Sequence, residues 1–445
     1  MLQHIFSSGD LPCMRKLLFI VIILLMASAS QAQNQACITE DIHRFWEAYE
    51  KIITTSDSVK QLEYIKTIYI DKGTPGLKSI MAARRYTAEE YVKNINSFPR
   101  FWKSIRSNTL KADSVAREIE KEIGKLRKIY PAMKPAPVYF TVGAFRTGGT
   151  VRDGMVLIGA EIAMTDRQTV TDEFPESMAH LKNIQSDRIK EMVFLNFHEY
   201  VHTQQKVAYG NHLLAQCLME GGAEFVAEKG SGQKTTAASV IYGNANRDKV
   251  RNVFSKVLFS PNFGYWFWSN EKNEFGTRDM GYYVGYAICE GYYKKQKNKE
   301  KAISSIIELD YNNDTAIAAF VDQSGYFSEP LFALRKKYEA ARPVVTGIKE
   351  FANGSTSIDT GIKQITIQFS APMDTRYRSF DFGPLGESNV LKLVSLIGWS
   401  EDRKSVSFIV DLKPALRQQI LLNYGFRTTE GLQLVPYLID IETAK

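Results

Sequence analysis

Apolar residues recur at helical spacing over the first third of the chain. Ile42, Phe45, Trp46 and Tyr49, and later Ile119, Ile123, Leu126 and Ile129, fall three and four positions apart. That period predicts amphipathic helices from about 38 to 130. Pro131, Pro135 and Pro137 end the regime. Two apolar runs follow, Val138-Tyr139-Phe140-Thr141-Val142 and Met155-Val156-Leu157-Ile158-Gly159, with Gly148-Gly149 between them. They read as strands and are expected as antiparallel neighbours. Helical spacing resumes near 188 and continues, with breaks, to about 338. After Arg342-Pro343 the period changes to two: Ile365-Thr366-Ile367-Gln368-Phe369 and Val406-Ser407-Phe408-Ile409-Val410 alternate. Turn signals at Asn353-Gly354, Ala371-Pro372, Gly383-Pro384 and Glu401-Asp402 divide that region into short strands, which predicts a β-sandwich over 344–445. The expected class is α+β: a mainly helical domain over 33–340 with a small β-sheet, its helical N-terminal part at 38–130 and its remainder at 135–340, then the sandwich.

One apolar run fits neither pattern. Arg15-Lys16 precedes ten apolar residues, 17–26, and the small residues Ala27, Ser28, Ala29, Ser30 and Ala32. A basic start, a short apolar stretch and a small-x-small site make a secretory signal peptide over 1–32, with Met14 as the expected initiator. The run is short for a membrane span, so none is expected in the mature chain. An exported protein follows: periplasmic, cell-surface or extracellular. Asn34-Gln35-Ala36 before Cys37 lack the leucine of a lipid-attachment site, so anchoring through Cys37 is not expected. Cys37, Cys217 and Cys289 allow one bridge at most, and the last two lie in apolar helical stretches that favour buried free thiols.

Composition narrows the partners. The formal charge of +7 falls to +6 once residues 1–32, which carry Arg15, Lys16 and Asp10, are removed. Basic residues are scattered, without blocks interleaved with aromatics, so a nucleic-acid role is not expected. More than 400 mature residues exceed one ordinary core, and two or more domains are expected.

The chemistry concentrates at His198-Glu199-Tyr200-Val201-His202. On a helix, residues four apart share one face, so both imidazoles can reach a single metal ion while Glu199, about 100° round the helix, stays out of the ligand set. A chance match is expected in on the order of one chain in a hundred of this length. Seventeen residues separate His202 from Glu220 in Leu218-Met219-Glu220-Gly221-Gly222-Ala223-Glu224, enough for a second helix to return alongside. His198, His202 and Glu220 would then supply three protein ligands to Zn2+ and leave one position open. Gly221-Gly222 would let the two motif helices approach closely. Glu224, one turn after Glu220, is expected to orient a ligand histidine, and Glu228 to be a solvated helix charge. His43, His180 and His212 lack partners at metal spacing.

These motifs resemble those of gluzincin-type metallopeptidases, in which a glutamate on a second helix is the third zinc ligand. The similarity is greatest to a bacterial family of predicted zinc-dependent proteases whose downstream helix opens with Gly-Tyr, as Gly281-Tyr282-Tyr283-Val284-Gly285-Tyr286 does here. The resemblance spans about 135–330 and implies a zincin-like fold, hydrolysis of a peptide or protein substrate and Tyr283 as the oxyanion donor, ahead of Tyr282 and Tyr286. The G-x-M-E-N strand of aminopeptidases is absent. In the mechanism it implies, Glu199 takes the proton of an attacking water and passes it to the leaving nitrogen. The strand 155–159 is a candidate edge for an extended peptide, or an ordinary core strand. Separately, Phe369-Ser370-Ala371-Pro372-Met373-Asp374 and Tyr424-Gly425-Phe426 resemble bacterial Ig-like domains, which space domains or contact cell-surface or protein partners. The alternatives are a cell-envelope scaffold with a structural or vestigial zinc, and an amidase acting on a non-peptide amide. Tyr265-Trp266-Phe267-Trp268 reads as core packing or the wall of a substrate cleft.

Overall fold

A computed structural model describes residues 36–182, 188–206, 209–269 and 273–445. Residues 1–32, read above as a signal peptide, lie outside the described residues. The chain forms two compact units. One comprises the described residues up to Gln205 with Val226–Thr235 and Ile303–Glu308. The other comprises Lys206–Phe225, Thr236–Ala302 and Leu309–Lys445. Among the described residues, no helix is long and apolar enough to cross a membrane.

The first unit opens on strand β1 (Cys37–Ile38) and helices α1 (Glu40–Ile52), α2 (Ser58–Tyr64), α3 (Pro75–Arg84), α4 (Ala88–Ser97), α5 (Pro99–Thr109) and α6 (Ala112–Ile129), with a π-helical turn at Ile65–Ile70. Local chemistry starts several of them. The Asp57, Thr74 and Thr87 side chains accept amide hydrogens of the first turns of α2, α3 and α4, and Pro75 sits where a helix has no use for its missing N–H. The apolar stripe read from the sequence is the buried one: Ile42, Phe45, Trp46 and Tyr49 on α1, Ile119, Ile123 and Leu126 on α6.

The sheet departs from expectation. Strands β2 (Val138–Thr141), β3 (Gly149–Arg152) and β4 (Met155–Gly159) join β1 in the order β1-β2-β4-β3. β2 and β4 are parallel, not antiparallel, and of the two places open to the strand 155–159, edge or core, β4 takes the interior one. The missed strand is β3, an antiparallel hairpin partner of β4 turned by Asp153 and Gly154, both at positive φ (52° and 71°) as a two-residue hairpin requires. An interior strand has both faces covered, which is why Val156, Leu157 and Ile158 read as a continuous apolar run. The connection from β2 is held by Glu161 of the short α7 (Ala160–Ala163), whose carboxylate accepts the Gly143 and Phe145 amides at 2.7 and 3.1 Å. Helix α8 (Arg188–His202) completes the unit's framework: the Tyr200 hydroxyl accepts the Ala136 amide (3.0 Å), and Gln204 accepts that of Lys134 (2.7 Å).

The second unit holds most of helix α9 (Leu213–Ser231), then α10 (Ala238–Ala245), α11 (Arg247–Phe254) and α12 (Met280–Lys295). After α13 (Lys299–Ile307) come α14 (Asp314–Ser324) and α15 (Leu331–Ala341). α9 and α12 pack backbone to backbone. A methyl group on Gly285 would overlap the Cys217 carbonyl, and one on Gly221 would overlap the Tyr286 amide. The glycine of the Glu220-Gly221 pair therefore accommodates α12, not the His198–His202 helix as expected.

Strands replace helices after Ala341. β5 (Val345–Ile348), β6 (Gln364–Phe369), β9 (Ser405–Asp411) and β8 (Lys392–Trp399) form one antiparallel sheet, and β11 (Tyr437–Glu442), β10 (Arg417–Leu422) and β7 (Phe380–Asp381) a second. One apolar cluster joins them. Ile365, Ile367, Val406, Phe408 and Val410 come from the first sheet, and Ile420, Leu422, Ile439 and Ile441 from the second. The alternation seen at 365–369 and 406–410 is the division between this core and solvent.

Candidate metal centre

α8 presents His198 and His202 one turn apart, with Nε2 atoms 3.0 Å from each other. Among the described residues, one group of metal-capable side chains converges: His198, His202 and Glu220, whose ligand atoms all lie within 4.8 Å of one another. Two nitrogens bound tetrahedrally to one zinc at about 2.0–2.1 Å are roughly 3.3 Å apart, so the observed spacing needs only a few tenths of an ångström of adjustment. Two imidazoles and a carboxylate are also the donor set expected for zinc. The residues fit the ion.

Two supporting contacts were not anticipated. The Gln205 amide oxygen lies 2.6 Å from His202 Nδ1, a spacing that suits a proton on Nδ1 and would leave Nε2 to ligate. Gln216 donates to the Glu220 carboxylate at 3.2 Å. Both lie within four residues of a ligand, Gln205 in the turn after α8 and Gln216 one turn before Glu220 on α9.

Glu199 is half-buried and lies against β3: a Cβ at Gly149 would be 3.9 Å from Glu199 Cγ. Glu224 is buried one turn beyond Glu220, on its face. Glu228 is buried as well, contrary to its expected solvation. Its carboxylate meets Lys234 at 2.9 Å, Lys229 at 3.3 Å and the Thr235 amide at 3.2 Å. A charge removed from water must be paired in this way.

Tyr283 is fully buried, its ring against Gly243 of α10 and its phenol near Arg247, Arg251 and Tyr326; burial pushes its pKa up to about 12. Tyr286, three positions along, lies on the face that meets α9, with its ring against Phe225. His212 is structural. Its Nδ1 accepts the Ala215 amide at the start of α9, and its Nε2 lies 3.2 Å from Asp314. Burial depresses its pKa. His43 lies 3.5 Å from Asp113 on the surface. Cys37 lies buried in β1, and Cys217 and Cys289 are buried free thiols. Trp266 and Phe267 are core residues, while Trp268 is half-exposed at positive φ.

No model of a known protein family matches the chain, and no curated protein is significantly similar to it. Solved structures with some likeness include two of the surface-layer protein SbsC. One is 13% identical, covering 74% of this chain and 46% of the other, and the second is 11% identical, covering 92% and 45%. The TM-score is 0.18 for both, too low to define a shared fold, and the chain spans under half the length of each.

Proposed function

We propose that the protein is an exported zinc metallopeptidase of the gluzincin type: a zincin-like domain followed by an Ig-like sandwich. The observation that carries this reading is the convergence of His198, His202 and Glu220, with Glu199 beside the group but outside it. Bound zinc would polarise a scissile carbonyl and lower the pKa of a water toward about 7. The chain's own residues do the rest. Gln205 holds the His202 ring in the ligating tautomer. Glu199 takes the proton of the attacking water and delivers it to the leaving nitrogen. Edge strand β3 offers backbone groups to an extended peptide, and Gly149, having no side chain, leaves the space above Glu199 open. Burial of the Tyr283 hydroxyl beside Tyr326, and of Tyr286 against Phe225, favours half-buried Tyr282 as oxyanion donor.

The test is metal content together with hydrolysis of a denatured-protein substrate, for the wild type and Glu199→Gln. Zinc in both proteins with turnover only in the wild type is the expected result. Equal hydrolysis by both removes Glu199 from the mechanism. Stoichiometric zinc without turnover of any substrate by the wild type replaces the enzyme with a scaffold built on structural zinc.

A further inference from the structure

A cleft of about 600 Å³ lies in the second unit, within the size range of ligand sites. One wall is formed by residues between 253 and 269 together with Glu274, and the other by the turns around 374–377 and 427–431. The walls are tied together. Arg342, at the end of α15, donates to the Gln433 and Leu434 carbonyls at 3.1 and 2.8 Å, and Pro343 accepts the Val435 amide.

The three carboxylates lining the cleft are already engaged. Asp374 holds Arg376 through two bonds of 3.0 and 2.8 Å, Glu274 bonds the Tyr265 hydroxyl, and Glu430 accepts from Thr429 at 3.0 Å. Two lining cations differ. Among the described residues, Lys256 makes no ion pair. Arg427 makes none either, though it lies within electrostatic reach of Asp374, and it places its guanidinium 3.5 Å from the centre of the Tyr377 ring. A stacked guanidinium is held flat, with its edge left for a carboxylate fork. Leu213, Val253 and Val257 supply apolar lining beside it. Of the lining aromatics, Tyr377 is covered by Arg427 and Trp266 is buried against Phe254 and Phe275, which leaves half-buried Tyr265 as the one ring within reach of a sugar.

We infer that this cleft binds an acidic polypeptide segment, with carboxylates at Arg427 and Lys256 and apolar side chains against Leu213, Val253 and Val257. The site is independent of the hydrolytic reading, since none of its residues belongs to the metal centre.

The probe is fluorescein-labelled hexaglutamate, followed by anisotropy with hexaglutamine and an oligogalacturonide as competitors. Hexaglutamate should bind and weaken as salt rises, and hexaglutamine should not compete. Arg427→Gln should weaken binding at least tenfold and Lys256→Gln severalfold, while Glu199→Gln binds as the wild type does. Lys256 is exposed, so its variant tests the site even if Arg427→Gln unfolds the turn. The proposal is overturned if hexaglutamate fails to bind, if hexaglutamine competes equally, if Lys256→Gln and Arg427→Gln both bind unchanged, or if the oligogalacturonide binds more tightly.

Discussion

Helix α9 and the pair of C-terminal sheets bury their side chains by opposite rules. From Leu213 to Ala227 every residue of α9 is buried, and that includes a polar ridge at four-residue spacing: Gln216, Glu220, Glu224 and, one step on, Glu228. The shared cluster of the sheets is wholly apolar, and the one buried ionisable side chain among the described residues beyond 341 is Asp374, locked to Arg376. Hydrophobic burial alone builds the sheets. It cannot account for a helix that carries three carboxylates out of water, because each costs several kcal/mol unless paired, protonated or bound to a cation. Glu228 is paired by lysines, and Glu220 belongs to the group that fits a metal. Buried carboxylates of this kind need a specific partner, whereas apolar burial needs only packing.

The comparison can be broken by substitution. The largest effect is expected at Glu199→Gln, a fall of about 10²–10⁴ in turnover with zinc content and unfolding midpoint unchanged. Ile367→Ala, in the centre of the β core, should cost about 2–5 kcal/mol of stability by urea denaturation and leave zinc affinity intact. A variant that lost zinc as well would make the two regions one cooperative unit. Gly285→Ala should cost about 1–3 kcal/mol by overpacking against Cys217, whereas Gly398→Ala in β8, where nothing lies within 4 Å, should change stability by less than about 0.5 kcal/mol.

Smaller effects test the support of the site. Gln205→Ala should weaken zinc binding about 10–100-fold in a competitive chelator titration. Glu161 sharpens the rule from the first unit. Burial raises its pKa from 4.5 to about 7, against the opposing pull of the Gly143 and Phe145 amides. The folded state therefore favours its protonated form: its contribution to stability is complete below about pH 4.5 and is lost as pH rises through about 7. Glu161→Gln should flatten the stability profile across that window in urea titrations; a slope that survives would assign it to another group.

Much of the framework was legible along the chain. Helices with one apolar stripe, such as α1 and α6, and strands with one solvated face, such as β6 and β9, write their surroundings into a period. Elements buried on every side do not: α9 and β4 are covered all round, and their neighbours are invisible locally. Strand β3 was missed for another reason. Gly149-Thr150-Val151-Arg152 is half-buried with no alternation, and its only signal is the Asp153-Gly154 turn. The candidate site was legible at His198, Glu199, His202 and Glu220 because zinc chemistry demands those residue types at helical spacing. Gln205 and Gln216 were not, since a glutamine one turn from a ligand is ordinary on most helices.

By itself, then, the sequence determined the run of helices, the change to strands after Ala341, and a histidine pair with its adjacent carboxylate, all of which follow from periods of 3.6 and 2. Tertiary structure alone decided that β2 and β4 run parallel, that Glu199 faces the edge strand β3, and that Glu228 is buried with lysines. It also decided that Gly221 serves α12, and that Arg427 and Lys256 share a cleft. Those outcomes depend on which distant segments are brought into contact, and no local period carries that information.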